Sequence, residues 1–361
     1  YSEVEVMTGS ARDFLDSWFE TGELKALLCG QAVIGTFGGP RTPGTSYVLF
    51  HHVMGEVDVM RGCWGVVRGG MGRVSEAIAA AARERGAVNR CDAPVARIQT
   101  RDGRAEGVVL KGGEEIRSRA VISNADPKLT FLRLLDPKRD LPDDFVRRVE
   151  RFKITGSSVK VNYALAELPD FTALPGTKPG PQHAGTIDIC PSLDYMERAY
   201  DEAKYGRWSS EPFLEAVIPT VYDDSIAPPG RHIMSVFCQF APYDLKEGTW
   251  DTEKEKFGDR VTGILTRHAP NFRNAVLHRQ VVSPLDLERD FSLTRGNIFQ
   301  GDMGLDQLFF MRPVPGYADY RTPVRGLYMC GACTHPGGGV MGAAGHNAAR
   351  EVLRDLRRRV V

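Results

Sequence analysis

The chain has 361 residues, 42% of them hydrophobic and 25% charged, an ordinary globular composition with length for about two domains. Its 46 Lys and Arg are balanced by 46 Asp and Glu, which argues against nucleic acid as a partner because phosphate binding needs a basic face. No apolar run is long enough to span a membrane, no secretory leader is expected, and seven scattered cysteines fit a reducing compartment.

Taken in order, residues 10–30 read as helical, with Ser10 as N-cap and Asp13 three residues on. Phe14, Leu15, Trp18 and Phe19 form one apolar face and Leu24, Leu27 and Leu28 another; these read either as core or as the wall of an apolar pocket. A Gly, Pro and Thr-rich loop then leads into an apolar run at 47–54 that contains His51 and His52. Adjacent side chains point to different faces of a strand or a helix, so the pair is a poor metal site, and no metal is expected. One of the two reads as a buried, satisfied histidine or as a proton-moving group beside a ligand.

The segment 65–86 opens with a glycine turn and continues as a helix with Val74, Ile78 and Ala81 inward and Gly86 as its stop. Residues 92–127 alternate as a β meander, with Asp102 and Gly103 forming a two-residue hairpin turn. Pro127 ends its last strand. Residues 128–155 are helical.

Beyond residue 155 short apolar strands alternate with Pro/Gly loops, at 158–165, 185–190, 213–218, 232–240 and 275–282. One helix, at about 251–268, breaks the series. The pattern predicts a mostly antiparallel sheet with helices on one face. A helix begins at Pro284. The loop after it sets Asn297, Asp302 and Gln307 among Phe299, Phe309 and Phe310, which describes a ligand pocket as well as it describes a capped loop.

The most informative stretch is 326–356. It reads as a short buried strand, a turn with six glycines between Gly331 and Gly345, and a helix with an apolar row of Ala344, Ala348, Val352 and Leu356. Glycine backbone can approach a flat or charged ligand closely, and the unpaired N–H groups of a first helical turn favour negative charge. No Gly-Lys-Ser/Thr closes the turn, so it is not a P-loop, and its spacing is not that of a first dinucleotide-binding turn. Cys330 and Cys333 have C-x-x-C spacing, yet the helix starts too far away to activate Cys330 and further zinc ligands are missing.

CGACTHPGGGVMGAAGHNAA resembles the closing motif of the FAD-dependent oxidoreductases related to phytoene desaturase and the flavin amine oxidases. The resemblance runs through TPGTSYVLFHHVMG (42–55), GGMGRVSEAIA (69–79), ISNADP (122–127) and GNIFQGDMGLDQLFFMRPVPGY (296–317), and is strongest to the subfamily called pyridine nucleotide-disulphide oxidoreductase domain-containing protein 2. Cys333 stands where a small residue is expected.

The resemblance implies a mixed α/β chain: the C-terminal part of a Rossmann-like FAD-binding domain with an inserted substrate domain of mostly antiparallel sheet plus helices. Residues 1–64 and 131–318 would lie on the substrate side, and 65–130 and 319–361 in the FAD domain. Gly331, Ala332, Gly339, Val340, Met341 and Gly342 would lie against the flavin, with Val95 at the adenine edge and Asn124 and Ala125 beside the cofactor. Val159, Val161, Val217 and Phe237 would face inward under the roof of the site. The family's N-terminal βαβ unit with G-x-G-x-x-G is absent, so the chain looks like the C-terminal two-thirds of a longer protein.

The expectation is a flavoprotein oxidoreductase acting on an apolar small molecule or an amine, with no catalytic acid–base pair in evidence. The alternative is a binding or regulatory module that retains the fold. Peripheral membrane contact and homo-oligomerisation stay open. Composition points to the cytoplasm, and the resembling subfamily also has mitochondrial members.

Overall fold

A computed structural model describes residues 2–360. Contacts divide the chain into two units, Tyr1–Asn89 with Gly156–Leu287, and Arg90–Thr155 with Glu288–Val361. This division differs from the expected ranges. Residues 65–89 fall in the first unit, while 131–155 and 288–318 fall in the second. The reason is packing: Phe131, Leu135, Phe145 and Val149 share a core with Val314, Val324 and Leu327, not with the sheet that follows them in sequence.

The first unit is built on a five-stranded, wholly antiparallel sheet. Its spatial order is Val276–Val282, Ser158–Leu165, His232–Gln239, Phe213–Val217 and Thr186–Ile189. Side chains alternate between the faces of a strand. On one face Val159, Val161, Tyr163 and Leu165 are buried with Phe257, Val261, Ile264 and Leu265 of the helix Trp250–His268. On the other, the register aligns Val282, Lys160, Phe237, Glu215 and Asp188 in one row across all five strands. Val159 and Val161 therefore cannot share a face with Val217 and Phe237, as the expectation for an inward-facing set required. The period of two puts the first pair in the core and the second pair opposite it.

Around this sheet the helical expectations hold with changes. Residues 10–30 form two helices, Ala11–Trp18 and Gly22–Val33, because Phe19 and Thr21 adopt extended backbone between them. Ser10 caps the first, its hydroxyl accepting from the Asp13 N–H at 3.1 Å. Gly30 lets the second approach closely: a Cβ there would stand 2.9 Å from the Phe213 ring. The run with the paired histidines is the helix Thr45–Val53. A helix at Leu193–Lys204, capped by Ser192, was not expected; its cue was the spacing of Leu193, Met196, Ala199 and Ala203, which are its buried residues.

The helix Gly72–Arg83 forms and stops at Gly86, where φ is +87°, but none of its residues is buried and Ile78 is 64% exposed. Of the face expected to point inward, Val74 is half-buried and Ile78 and Ala81 are exposed.

The second unit carries the meander Val95–Arg101, Arg104–Leu110 and Glu115–Arg117, turned at Asp102 (φ +50°) and Gly103 (φ +70°). Two consecutive left-handed residues make the primed turn that suits strand twist. Val121–Ser123 leaves this meander and pairs in parallel with Leu327–Met329. Behind the pair lies the C-terminal helix Ala343–Arg357, with Ala344, Ala348 and Val352 buried as its period predicts. It is held to the strand by charge. Arg321 grips Asp355 with two bonds of 2.8 Å, and the buried Tyr328 hydroxyl donates to the same carboxylate at 2.8 Å.

Candidate cofactor site

The parallel pair ends at Ser123 on one strand and Met329 on the other, and the Cys330 N–H closes the ladder on the Ser123 carbonyl at 2.9 Å. In parallel α/β sheets ligands bind outside the carboxyl ends of the strands. Asn124 and Ala125 follow one end, and Cys330, Gly331 and Ala332 the other. The fold thus brings two separate parts of the expected site together.

Each of these residues has a different situation. Ala125 is committed to protein: its N–H donates to the Ser123 hydroxyl at 3.2 Å, and its carbonyl accepts from the Thr130 hydroxyl at 3.3 Å and the Cys333 thiol at 3.7 Å. Asn124 is exposed, and its carbonyl accepts from the Gln300 amide at 3.1 Å. Gly331 faces both; a Cβ there would come within 2.7 Å of the Asn124 carbonyl. The Gln300 side-chain oxygen beside them is buried and has no hydrogen-bond partner. A buried acceptor without a donor costs roughly 1–3 kcal/mol, which marks the spot as one that a ligand donor would relieve.

The glycines of the turn divide into two kinds. Gly331 and Gly338 are required by neighbouring protein, the latter because a Cβ would stand 2.5 Å from the Phe299 ring. Gly342 and Gly345 have nothing within 4 Å of a would-be Cβ. They line a cavity of about 270 Å³ together with Ile298, Cys330, Ala332, Gly339, Val340 and Met341.

Gly342 caps the C-terminal helix at φ +68° with no side-chain cap, and the His346 N–H makes a bond back to its carbonyl at 3.0 Å. The N–H groups of Ala343, Ala344 and Gly345 precede that bond and so have no intrahelical acceptor. Val340 and Met341 are exposed at 76% and 47%. Val340 has φ +52°, a conformation that a β-branched side chain rarely adopts. Val95 is elsewhere in the unit, at the head of the meander opposite Leu110.

This arrangement fits part of a flavin. Bare backbone and an uncapped helix start are features that suit a flat, anionic group. The cavity is smaller than a complete dinucleotide requires, so these residues would hold only a portion of it.

The polar island in the preceding loop is resolved as architecture. The Asn297 amide donates to the Thr155 carbonyl at 2.8 Å and to Asp302 at 3.0 Å. Asp302 accepts from the Thr155 N–H at 2.7 Å, and Gln307 bonds the Lys153 backbone. All three hold loop backbone. Burial raises the Asp302 carboxyl above the usual range. At the C-x-x-C pair, burial raises both thiols, Cys333 to about 12, so neither supplies a thiolate near neutral pH.

Two positioning residues escaped the sequence reading. Arg312 is completely buried and donates to the Ala332 carbonyl through two nitrogens, at 3.1 and 2.9 Å. Its only cue was a lone basic residue inside FFMRPVP. Tyr320 donates to the His335 carbonyl at 2.8 Å and accepts from Asn347 at 3.0 Å, tying turn to helix.

The first unit has its own titratable cluster. Asp188 and Glu215 are cross-strand neighbours, and Gln31 donates to Glu215 at 3.2 Å. Burial, then the Glu215 charge, raises Asp188 to about 7, and burial raises Glu215 as well. On the helix Thr45–Val53, burial and then His51 lower His52 to about 4, and its Nδ1 pairs with the Val48 carbonyl at 2.9 Å. No group of three or more His, Cys, Asp or Glu is placed to hold a metal among the described residues.

Comparisons with known proteins bear on the family and the fold. The family described as flavin containing amine oxidoreductase matches residues 12–262. Pyridine nucleotide-disulfide oxidoreductase domain-containing protein 2 of Rattus norvegicus is 47% identical over 98% of the chain and 62% of its own length. The zeta-carotene-forming phytoene desaturase of Myxococcus xanthus is 28% identical over 76% of the chain and 49% of its own length. The chain therefore spans about three fifths or less of these curated relatives.

Among solved structures, an oxidoreductase from Methanosarcina mazei aligns with a TM-score of 0.63 at 17% identity, over 96% of this chain and 68% of that one. A putrescine oxidase double mutant aligns at 0.57 and 16%, over 97% and 69%. These likenesses speak to the fold, an α/β mixture with an antiparallel sheet. From its sequence and its architecture, the chain belongs to the flavin containing amine oxidoreductase family.

Proposed function

We propose that this chain supplies the turn-and-helix half of the cofactor site, and the substrate-side sheet, of a FAD-dependent oxidoreductase that takes hydride from an apolar small molecule. The observation that carries the reading is the open backbone of Gly342 and Gly345 at an uncapped helix start beside the carboxyl ends of a parallel strand pair. Flavin, when bound, supplies the two-electron acceptor; the protein supplies orientation and dipoles. Here Ala332 and residues 339–345 would line it, and the N–H groups of residues 343–345 would favour negative charge on it. An apolar substrate is preferred to an amine because a phytoene desaturase stands among the relatives by sequence, whereas the putrescine oxidase likeness rests on fold alone.

The test is FAD binding by the chain, read as flavin absorbance that co-elutes on gel filtration. Gly345→Leu is the decisive variant. A Cβ there has no neighbour within 4 Å, and Leu suits a helix better than Gly, so the fold is expected to stand. Loss of flavin from a stably folded Gly345→Leu protein supports the cradle. Undiminished binding by that variant overturns it, and the lack of binding by the parent chain sinks the flavin reading for this polypeptide.

A second reading concerns location. Trp18, Leu24 and Leu27 are 71%, 39% and 50% exposed at the end of one helix and the start of the next. Such a corner suits peripheral contact with a membrane surface, from which an apolar substrate would be taken. Sedimentation with phosphatidylcholine vesicles, lost in Trp18→Ser, is the expected outcome; no sedimentation of the parent chain removes this reading.

A further inference from the structure

Arg312 is the largest fully buried side chain of the described residues, and its guanidinium touches backbone on two sides. Toward the preceding loop it donates to the carbonyls of Phe299 (2.9 Å), Gly301 (3.1 Å), Asp302 (3.0 Å) and Gln307 (3.3 Å). Toward the glycine-rich turn, Nε and Nη2 converge on the single carbonyl of Ala332 at 3.1 and 2.9 Å. The Phe152 ring lies beneath, 5.8 Å from the guanidinium carbon. Gly301 permits that stacking, since a Cβ at this position would collide with the Phe152 ring. Burying a cation is costly unless its donors are met, and here five carbonyls meet them.

Two features separate this from ordinary loop support. Ala332 lies three residues beyond the end of the strand Leu327–Met329 and lines the cavity, as Cys330 does before it. Moreover, Arg312 reaches the turn from a different segment; other ties to it include the Cys333 thiol on the Ala125 carbonyl at 3.7 Å, the Thr334 hydroxyl on the Gly331 carbonyl at 2.8 Å, and the Tyr320 hydroxyl on the His335 carbonyl at 2.8 Å. A turn this rich in glycine has high conformational entropy and does not hold one shape unaided. Arg312 holds Ala332 with two donors while fixing the loop 299–307 with the others, and so ties the start of the turn to a second segment of backbone.

We propose that Arg312 is a positioning residue of the cofactor turn: its planar fork fixes the Ala332 carbonyl, and through it the glycine backbone that a flavin would lie against. This rests on the flavin reading above. It requires a fork rather than a charge. Lysine at this position would keep the cation but present a single ammonium, which cannot reach carbonyls on both sides in fixed directions.

The experiment compares the full chain with its Arg312→Lys variant by hydrogen exchange without flavin and by FAD titration. The expected result is amide exchange about tenfold or more faster across residues 330–342, with the strands 158–165 and 232–239 keeping their rates. FAD affinity should fall about tenfold or more in parallel. Unchanged exchange in the turn overturns the proposal. So does uniform acceleration throughout the protein, which would assign Arg312 a general structural role, and so does a loosened turn that binds FAD as well as the parent.

If the parent chain binds no FAD, the flavin reading falls, while the exchange data still decide whether Arg312 holds the turn. Where Arg312→Lys does not fold, Phe152→Leu removes the ring beneath the guanidinium and leaves every donor in place. It should loosen residues 330–342 about threefold, and no change there counts equally against the proposal.

Discussion

The five-stranded sheet and the two-stranded parallel pair are stabilised in different proportions by burial and by directional bonds. The sheet has strands of four to eight residues and a continuous apolar core in which Val161, Val236, Leu214, Phe257 and Val261 are each completely buried. The pair has two strands of three residues each. Its ladder alone is too short for stability; Leu327 and Met329 are buried in the core of their unit, and side-chain clamps add direction: Arg321 and Tyr328 on Asp355, Tyr320 on His335, and Arg312 on Ala332. The lesson is that a large sheet can rest mainly on non-directional burial, which tolerates variation. A turn of bare backbone has few side chains to bury, and directional bonds specify its position.

If this contrast is right, the largest effect comes from the scaffold's core. Phe257 is fully buried, with its ring 5.7 Å from Trp208 and 6.1 Å from Trp250. Phe257→Ala should cost about 4 kcal/mol through lost burial and the cavity left behind. Hydrogen exchange should accelerate in the sheet strands with little change across 327–345; acceleration in both places alike would erase the distinction between the regions.

The second effect tests a clamp. Asp355 sits in the last turn of the C-terminal helix, where a negative charge is unfavourable until Arg321 neutralises it. Asp355→Ala removes both Arg321 bonds and leaves the Tyr328 hydroxyl buried without its acceptor, at a cost of about 3 kcal/mol. Tyr328→Phe keeps the ion pair and should cost about 1 kcal/mol. Denaturant unfolding followed by exchange in residues 343–357 separates the two. Equal losses would mean that the ion pair contributes nothing and that the clamp is the phenol alone.

The same contrast explains what could be read from the sequence. The strands of the sheet are found within about two residues of their observed ends, because alternation and Pro/Gly punctuation are local signals. The C-terminal strand, turn and helix were legible for the same reason. What failed to be legible is non-local. No pattern within 131–155 says that its Phe131 and Phe145 pack with Leu327. The face of Phe237 depends on register with Lys160, not on its own strand. Arg312 is a single letter whose five acceptors are spread over thirty-four residues of chain, from Phe299 to Ala332. Clusters of polar letters are ambiguous for the same reason: Asn297, Asp302 and Gln307 suit a pocket or a capped loop equally, and only the fold shows that they bond loop backbone.

The third prediction sharpens the comparison from within the sheet, whose second face is polar. Asp188 has a carboxyl raised from 3.8 to about 7 by burial and by Glu215. A raised folded-state pKa means that the folded protein holds a proton the unfolded chain has released. Stability from this group is complete below about pH 4 and falls as pH rises to about 7, by at most about 4 kcal/mol, part of which belongs to the coupling with Glu215. His52, lowered to about 4, acts with the opposite sign, stability from it rising with pH up to its unfolded value of 6.5. The comparison must therefore be wild type against Asp188→Asn. The variant mimics the protonated acid and should match wild type at pH 4 and exceed it by about 2 kcal/mol at pH 8. Parallel pH curves for the two proteins would show that Asp188 titrates as an ordinary surface carboxyl.

The smallest effect bears most directly on the turn. Val340 stands at φ +52° and is 76% exposed, so it has strain and almost no packing to lose. Left-handed backbone at a β-branched residue costs on the order of 1–3 kcal/mol, against which glycine's greater unfolded-state freedom sets about 1 kcal/mol. Val340→Gly should then stabilise the unit by about 1 kcal/mol in denaturant unfolding. Strain that persists without packing to hold it has a physical rationale if the side chain serves a bound group, here an apolar surface presented at the mouth of the glycine cavity. On that account the same variant should bind FAD more weakly while being more stable. Separating the two quantities in opposite directions is the result that distinguishes a turn shaped for a ligand from a turn shaped by its fold, and a Val340→Gly protein that gained both stability and affinity would assign the strain to the fold alone.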